Sequence, residues 1–66
     1  MIRKLIEISY SKYDGYNISL SNNGSQWNTI YSDKSFENAT TILNAFSDVG
    51  YEDVTKYDAL NVGDAK

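Results

Sequence analysis

The sequence predicts an α+β domain in which a three-stranded antiparallel meander is covered on one face by one helix. Three segments alternate apolar and polar residues with the period of half-buried strands, and a later segment repeats apolar residues at helical spacing. The strands are predicted over about residues 2–11, 16–22 and 25–32, the helix over about 35–49, and a further strand over about 51–57. The 66 residues are expected to form a single small domain, in which residues 58–66 make a helical turn at Asp58-Ala59-Leu60 and then fray.

The first two strands are joined around Asp14-Gly15. The apolar positions of the two strands are Ile6, Ile8 and Tyr10, then Tyr16, Ile18 and Leu20. A two-residue turn would place these rows on opposite faces of the sheet. A three-residue loop with Gly15 in the left-handed conformation pairs Tyr10 with Ile18 and Ile8 with Leu20, so we predict this loop.

The second connection contains Asn23-Gly24, a pair typical of a two-residue type I′ hairpin turn. Such a turn would pair Leu20 with Trp27, which places the only tryptophan on the apolar face. One interpretation is that Trp27 anchors the core next to the turn. The alternative is that its ring stacks on a ligand.

The helix has recognisable start and stop signals. Ser35 is a good N-cap, Glu37 suits the positive end of the helix dipole, and Gly50 is a natural stop. The apolar stripe between them is formed by Phe36, Ala39, Ile42, Leu43, Phe46 and Val49. This stripe is expected to cover the sheet, and a strand after it would run parallel to strands one and three.

Composition argues against most catalytic and metal chemistry. The chain has no cysteine and no histidine, so neither a disulfide framework nor a zinc, haem or iron-sulfur site is predicted. The adjacent carboxylates Glu52 and Asp53 would point to opposite faces of a strand, and no activated nucleophile or phosphate-binding loop is recognisable. We predict no enzymatic activity, no catalytic residue, no metal and no cofactor.

The amino-terminal stretch MIRKLIEISYSK is basic and then apolar, as a signal peptide would be. Glu7 interrupts its apolar run and no small-residue cleavage site follows, so a first strand is predicted instead. No stretch has the length needed to cross a membrane. We therefore expect a soluble, intracellular protein. With the phage or mobile-element interpretation given below, this would be the cytoplasm of a bacterial host cell.

The charge distribution makes the helix the most informative surface. The formal net charge is −3, and no lysine or arginine occurs from Ser35 to Thr55. Direct nucleic-acid binding is therefore not expected, because it needs a basic footprint. The outer stripe consists of Glu37, Thr41, Asn44 and Asp48, continued by Glu52 and Asp53. It is either a solvated acidic face or a docking surface for a basic protein.

These observations predict a non-enzymatic binding module. Small acidic proteins of phages and mobile elements often act as inhibitors or decoys, and the partner would be a host nuclease or defence factor with a basic surface. One alternative is a self-assembling structural module, such as a homodimer, in which the possible fourth strand and the strand-three edge around Gln26 to Tyr31 pair across a two-fold axis. Another is an oligomer that captures a small nucleotide or signal molecule, with Trp27 or tyrosines stacking on it.

Overall fold

The computed structural model describes residues 3–58 and 60 and has the predicted α+β architecture. Its elements are β1 (Leu5–Ser11), β2 (Gly15–Ser21), β3 (Asn28–Asp33), α1 (Phe36–Asp48) and β4 (Glu52–Asp53). The sheet order is β3-β2-β1-β4. The meander is antiparallel, and β4 runs parallel to β1, as predicted for a strand that follows the helix.

Three strand predictions need correction in length. The first strand begins at Leu5 and not near residue 2, because residues 3 and 4 are described and precede the strand. The third strand begins at Asn28 and not near residue 25, and the fourth contains only Glu52 and Asp53 instead of residues 51–57. Most of the chain end predicted to fray lies outside the described residues. A single 3₁₀ turn includes residues 57, 58 and 60.

The first hairpin has the predicted three-residue loop, but it is displaced by one position. The loop consists of residues 12–14, and Gly15 already pairs with Ser11. Tyr10 therefore lies opposite Tyr16 and Ile8 opposite Ile18, so the predicted pairs were wrong by two residues. A shift of two keeps every side chain on its face, which explains why the apolar rows still coincide. Gly15 has the predicted positive φ, at 88°.

The second connection is not the predicted two-residue turn. A type I′ turn needs positive φ at both central residues, but Gly24 has a φ of 82° and no non-glycine residue described has positive φ. The Asn23 side-chain oxygen instead accepts hydrogen bonds from the backbone N–H groups of Ser25 and Gln26, at 2.8 and 3.0 Å. A wider loop results, and Leu20 pairs with Asn28 and not with Trp27.

Strand β3 contains a bulge that changes its alignment with β2. Ile18 pairs with Tyr31, whereas the next residue, Ser19, pairs with Thr29, so Ile30 is the extra residue. The two-residue turn predicted at Asn23-Gly24 would have paired Ile18 with Thr29, so that pairing is also wrong. The side chain of Ile30 is 40% exposed.

The core lies between the sheet and the helix. It is formed by Ile6, Ile8, Ile18, Ala39, Leu43 and Leu60. Full burial of an aliphatic side chain contributes about 1.5–3 kcal/mol, so these few residues provide much of the stability of so small a domain. Leu5 is buried as well, although it precedes Ile6 and points to the other face of the sheet, where it lies near Gly24 of the loop.

The helix is closed at both ends as its sequence predicts. The Ser35 hydroxyl accepts a hydrogen bond from the backbone N–H of Asn38, at 3.2 Å. At the other end Gly50 has a φ of 110°, and the backbone N–H of Tyr51 donates to the carbonyl of Phe46 at 3.2 Å. This glycine-dependent ending turns the chain back to the sheet. Glu52 then donates from its backbone N–H to the carbonyl of Lys4, at 2.7 Å.

Candidate functional site

The four helical residues of the predicted docking stripe lie on one exposed face of α1. They are Glu37, Thr41, Asn44 and Asp48. Their spacing of three and four residues keeps them on one side of the helix, and the two carboxylates are about 16 Å apart along its axis. The opposite side of α1 packs Ala39 and Leu43 into the core. We refer to these four residues as the helix face.

Glu52 and Asp53 do not continue the helix face as one surface. Glu52 lies opposite Leu5 in the parallel pair, and Asp53 lies opposite Ile6, so their side chains point to different sides of the sheet. The Glu52 carboxylate is 3.4 Å from the guanidinium of Arg3. Its charge is therefore partly offset by a neighbour.

Asp53 is engaged in local hydrogen bonds. Its carboxylate accepts from the backbone N–H of Thr55, at 2.9 Å, and from the hydroxyl of Tyr57. Partial burial raises the pKa of Asp53, but the hydrogen bonds from Thr55 and Tyr57 outweigh it and leave the pKa below its ordinary value. Asp53 is thus held as a carboxylate that organises the segment after β4.

Asp48 occupies a position that local helix energetics disfavour. It is the last residue of α1, and the last turn contains no basic residue. The carbonyl end of a helix carries partial negative charge, so an exposed carboxylate there typically costs about 0.3–1 kcal/mol. Glu37, in contrast, is in the first turn, where the dipole favours it.

The orientation of the helix face is fixed by Asp33, a residue that the sequence did not single out as important. The Asp33 carboxylate accepts hydrogen bonds from the backbone N–H of Ser35 and the hydroxyl of Tyr31, both at 2.8 Å, and from the Asn38 side-chain amide at 3.3 Å. These bonds, that of Ser35 foremost, lower the pKa of Asp33. The hydrogen bond that Tyr31 donates to Asp33 raises the pKa of Tyr31. Asp33 therefore ties β3 to the start of α1.

A second surface feature is an open groove between the β2–β3 loop and the segment that follows α1. It has a volume of about 460 Å³, and its lining includes Trp27, Tyr51, Arg3 and Lys4. Trp27 is 36% exposed and follows the loop instead of pairing with Leu20, so the prediction that it anchors the core beside Leu20 is wrong. We refer to this feature as the Trp27 groove.

The sequence offered little warning of the Trp27 groove. Arg3 and Lys4 are near one end of the chain and Tyr51 is far along it, and only the parallel pairing of β4 with β1 brings them together. The signal in the sequence was the single tryptophan, for which stacking on a ligand was the alternative to a place in the core. That alternative did not include the neighbouring cations.

The described residues contain no cluster of three or more carboxylates arranged to hold a metal ion. None of the helices in that part of the chain is long and apolar enough to cross a membrane. Comparison with known proteins gives no match to any protein-family model, curated protein or solved structure. Functional inference therefore rests on the two surfaces described above.

Proposed function

We propose that this protein is a non-enzymatic binding module that docks through its helix face on a basic surface of another protein. The observation that carries the proposal is Asp48, an exposed carboxylate kept at the negative end of a helix whose last turn has no compensating cation. Local rules of helix stability would favour lysine there, and departures from such rules concentrate at functional positions.

The partner is defined by charge complementarity. Two carboxylates, Glu37 and Asp48, are separated by the polar residues Thr41 and Asn44 along a face without lysine or arginine. Opposite potentials accelerate association and discriminate between partners. A groove that normally holds nucleic acid has the required positive potential, so the protein would act as an inhibitor or decoy of a nuclease or host-defence factor. Between the two carboxylates, Thr41 and Asn44 would supply uncharged contacts to the partner.

The test is a pull-down from bacterial lysate with the tagged full-length chain, washed at low and moderate salt. The expected result is capture of a stoichiometric partner that has a basic groove. This partner should dissociate as the salt concentration rises, because screening weakens exposed charge pairs. The variant Glu37→Lys/Asp48→Lys is expected to lose this partner.

The matched control is Glu7→Lys/Asp14→Lys, which changes the net charge by the same amount on the sheet and the first loop. Retention of the partner by this control, and its loss from the helix variant, would separate local docking from net charge. Equal retention by both variants would contradict the proposed docking surface.

A further inference from the structure

The Trp27 groove combines features that ordinary surface depressions lack. Its volume of about 460 Å³ is within the range of small-molecule sites. Among the described residues, its lining contains two aromatic rings, two cations and no carboxylate, in a chain with nine acidic and six basic residues. The groove is therefore suited to an anion, against the charge of the whole protein.

The wall that carries Trp27 is held by side-chain hydrogen bonds within its loop. The Ser21 hydroxyl accepts from the backbone N–H of Gly24, at 2.8 Å, and Asn23 accepts from Ser25 and Gln26. Such bracing reduces the conformational freedom that a ligand would have to remove on binding. Trp27 thus offers a partly exposed and preorganised aromatic face.

The opposite wall positions a cation. The ring of Tyr51 packs edge-on against Phe46, with centroids 5.3 Å apart, and the Lys4 Nζ is 5.8 Å from the Tyr51 ring centroid. Within residues 3–58 and 60, no carboxylate lies at ion-pair distance from Lys4. Lys4 is therefore held beside the groove with its charge available.

Arg3 supplies the second positive group. Its side chain is 53% exposed, and its one ion pair with a described residue is the 3.4 Å contact with Glu52. Exposed pairs of this kind are weak, so an incoming phosphate can compete for the guanidinium, which is well shaped for phosphate oxygens. The amide side chains of Asn22, Gln26 and Asn28 also line the groove and offer both donors and acceptors.

We propose that the Trp27 groove binds a mononucleotide, with the base stacked on Trp27 and the phosphate attracted by Lys4 and Arg3, which both line the groove. A planar heterocycle can stack on a partly exposed tryptophan ring, and a phosphate is attracted by the two positive charges. The amide groups of Asn22, Gln26 and Asn28 would bond the edge of the base. No residue of α1 lines the groove, so this proposal is independent of docking through the helix face.

The first experiment titrates the full-length chain with AMP, GMP, CMP and UMP and follows fluorescence of its only tryptophan. Calorimetry repeats each titration, since purines absorb near the excitation wavelength. Saturable binding of at least one mononucleotide is expected, with its nucleoside and inorganic phosphate each at least tenfold weaker. A nucleoside that binds as tightly as its nucleotide, or the absence of saturable binding, would overturn the proposal.

Variants locate the site. Lys4→Gln and Arg3→Gln are expected to weaken mononucleotide binding at least fivefold, whereas Lys12→Gln removes the same charge in the first loop and should leave it unchanged. Trp27→Phe, followed by calorimetry, should weaken binding severalfold. Circular dichroism checks that each variant is folded. Equal effects of Lys4→Gln and Lys12→Gln would show only nonspecific attraction and would refute the site.

A length series distinguishes a mononucleotide from single-stranded nucleic acid. The affinity per binding site for TMP is compared with that for thymidine oligonucleotides of increasing length. Little gain with length is expected, since Arg3 and Lys4 are the cations among the described lining residues and suffice for one phosphate. A steep gain with length would assign the groove to single-stranded nucleic acid and overturn the mononucleotide proposal.

Discussion

Gly15 links two parts of the chain that are distant in sequence. It has positive φ, and a Cβ at this position would lie 2.6 Å from the carbonyl oxygen of Asp33 and 2.8 Å from the Cα of Lys34. The first hairpin therefore packs its turn directly against the backbone that leads into α1. The sequence predicted the positive φ from the apolar register, but it could not reveal this close backbone approach.

Gly15→Ala is expected to destabilise the fold more than Gly50→Ala does. Both glycines have positive φ, where a side chain costs about 1–2 kcal/mol, but Gly50 has open space around it and Gly15 would also force the backbone of Asp33 and Lys34 apart. Urea unfolding of both variants measures the difference. Equal losses of unfolding free energy in the two variants would contradict this. They would mean that the backbone of Asp33 and Lys34 moves away from the new Cβ at no energetic cost.

Asp33 should give the fold a dependence on acid pH. Its folded pKa is below the ordinary value of 3.8, so the folded chain binds fewer protons than the unfolded chain in that range. Its contribution to stability is present above that ordinary, unfolded value and is lost as pH falls through the lower folded pKa. Urea unfolding between acid and neutral pH measures how the free energy of unfolding changes with pH. This change should be smaller in Asp33→Asn. Tyr31→Phe should reduce it less, because it removes only one of the three hydrogen bonds.

At the scale of elements, the helix was predicted closely because its signals are local. Ser35, the apolar stripe and Gly50 are all within a short stretch and act on their own neighbours. The second hairpin was predicted poorly because Asn23-Gly24 can support more than one turn. In the structure the Asn23 side chain caps a wider loop, and Gly24 of that loop lies near Leu5, a contact with a distant residue that the local sequence does not encode.

The charges at the two ends of α1 should have opposite effects on stability. Asp48→Lys replaces an unfavourable charge at the carbonyl end and is expected to raise the free energy of unfolding by about 0.3–1 kcal/mol. Glu37→Lys should lower it by a similar amount, and the double variant should be near the parent. Thermal unfolding measures all three. A destabilised Asp48→Lys would indicate that Asp48 has a structural partner and would remove the argument for its role in docking.

At the scale of the whole molecule, the core is closed by a residue near the end of the described chain. Leu60 is buried among Ile6, Ile8, Ile18, Ala39 and Leu43, although the sequence predicted only a helical turn there before the chain frays. Its importance was hard to foresee because a lone leucine after a short strand has no periodic pattern. The parallel placement of β4 brings it to the core.

Leu60→Ala is therefore expected to cost about 2–5 kcal/mol, the range for truncating a buried aliphatic side chain. Val49→Ala is the matched control, because Val49 is 64% exposed and should change stability by less than about 0.5 kcal/mol. Denaturant midpoints of the two variants test this. Similar midpoints would show that Leu60 does not contribute to the core in solution.

The sheet edges bear on the alternative of self-assembly, which stays a hypothesis. β3 is one outer strand and carries the bulge at Ile30, while β4 at the other edge has two residues. Bulges and short strands are common ways to prevent edge-to-edge pairing. Neither edge is a long, flat template for a second copy, so these features do not favour the structural-module alternative.

The pairing of β4 with β1 also has a consequence for the order in which the molecule opens. β1 is joined to β2 by a three-residue loop. In contrast, the backbone N–H of Ile8 donates a hydrogen bond to the hydroxyl of Thr55, which is 47 residues away in the sequence. The backbone bonds from Glu52 to Lys4 and from Val54 to Ile6 can break while the hairpins stay paired. Amide exchange at Glu52 and Val54 would then report a partial opening that exposes one side of β1 and separates Tyr51 from Lys4. A ligand that contacts both Lys4 and Tyr51 would stabilise the closed state. It would therefore slow amide exchange at Glu52 and Val54.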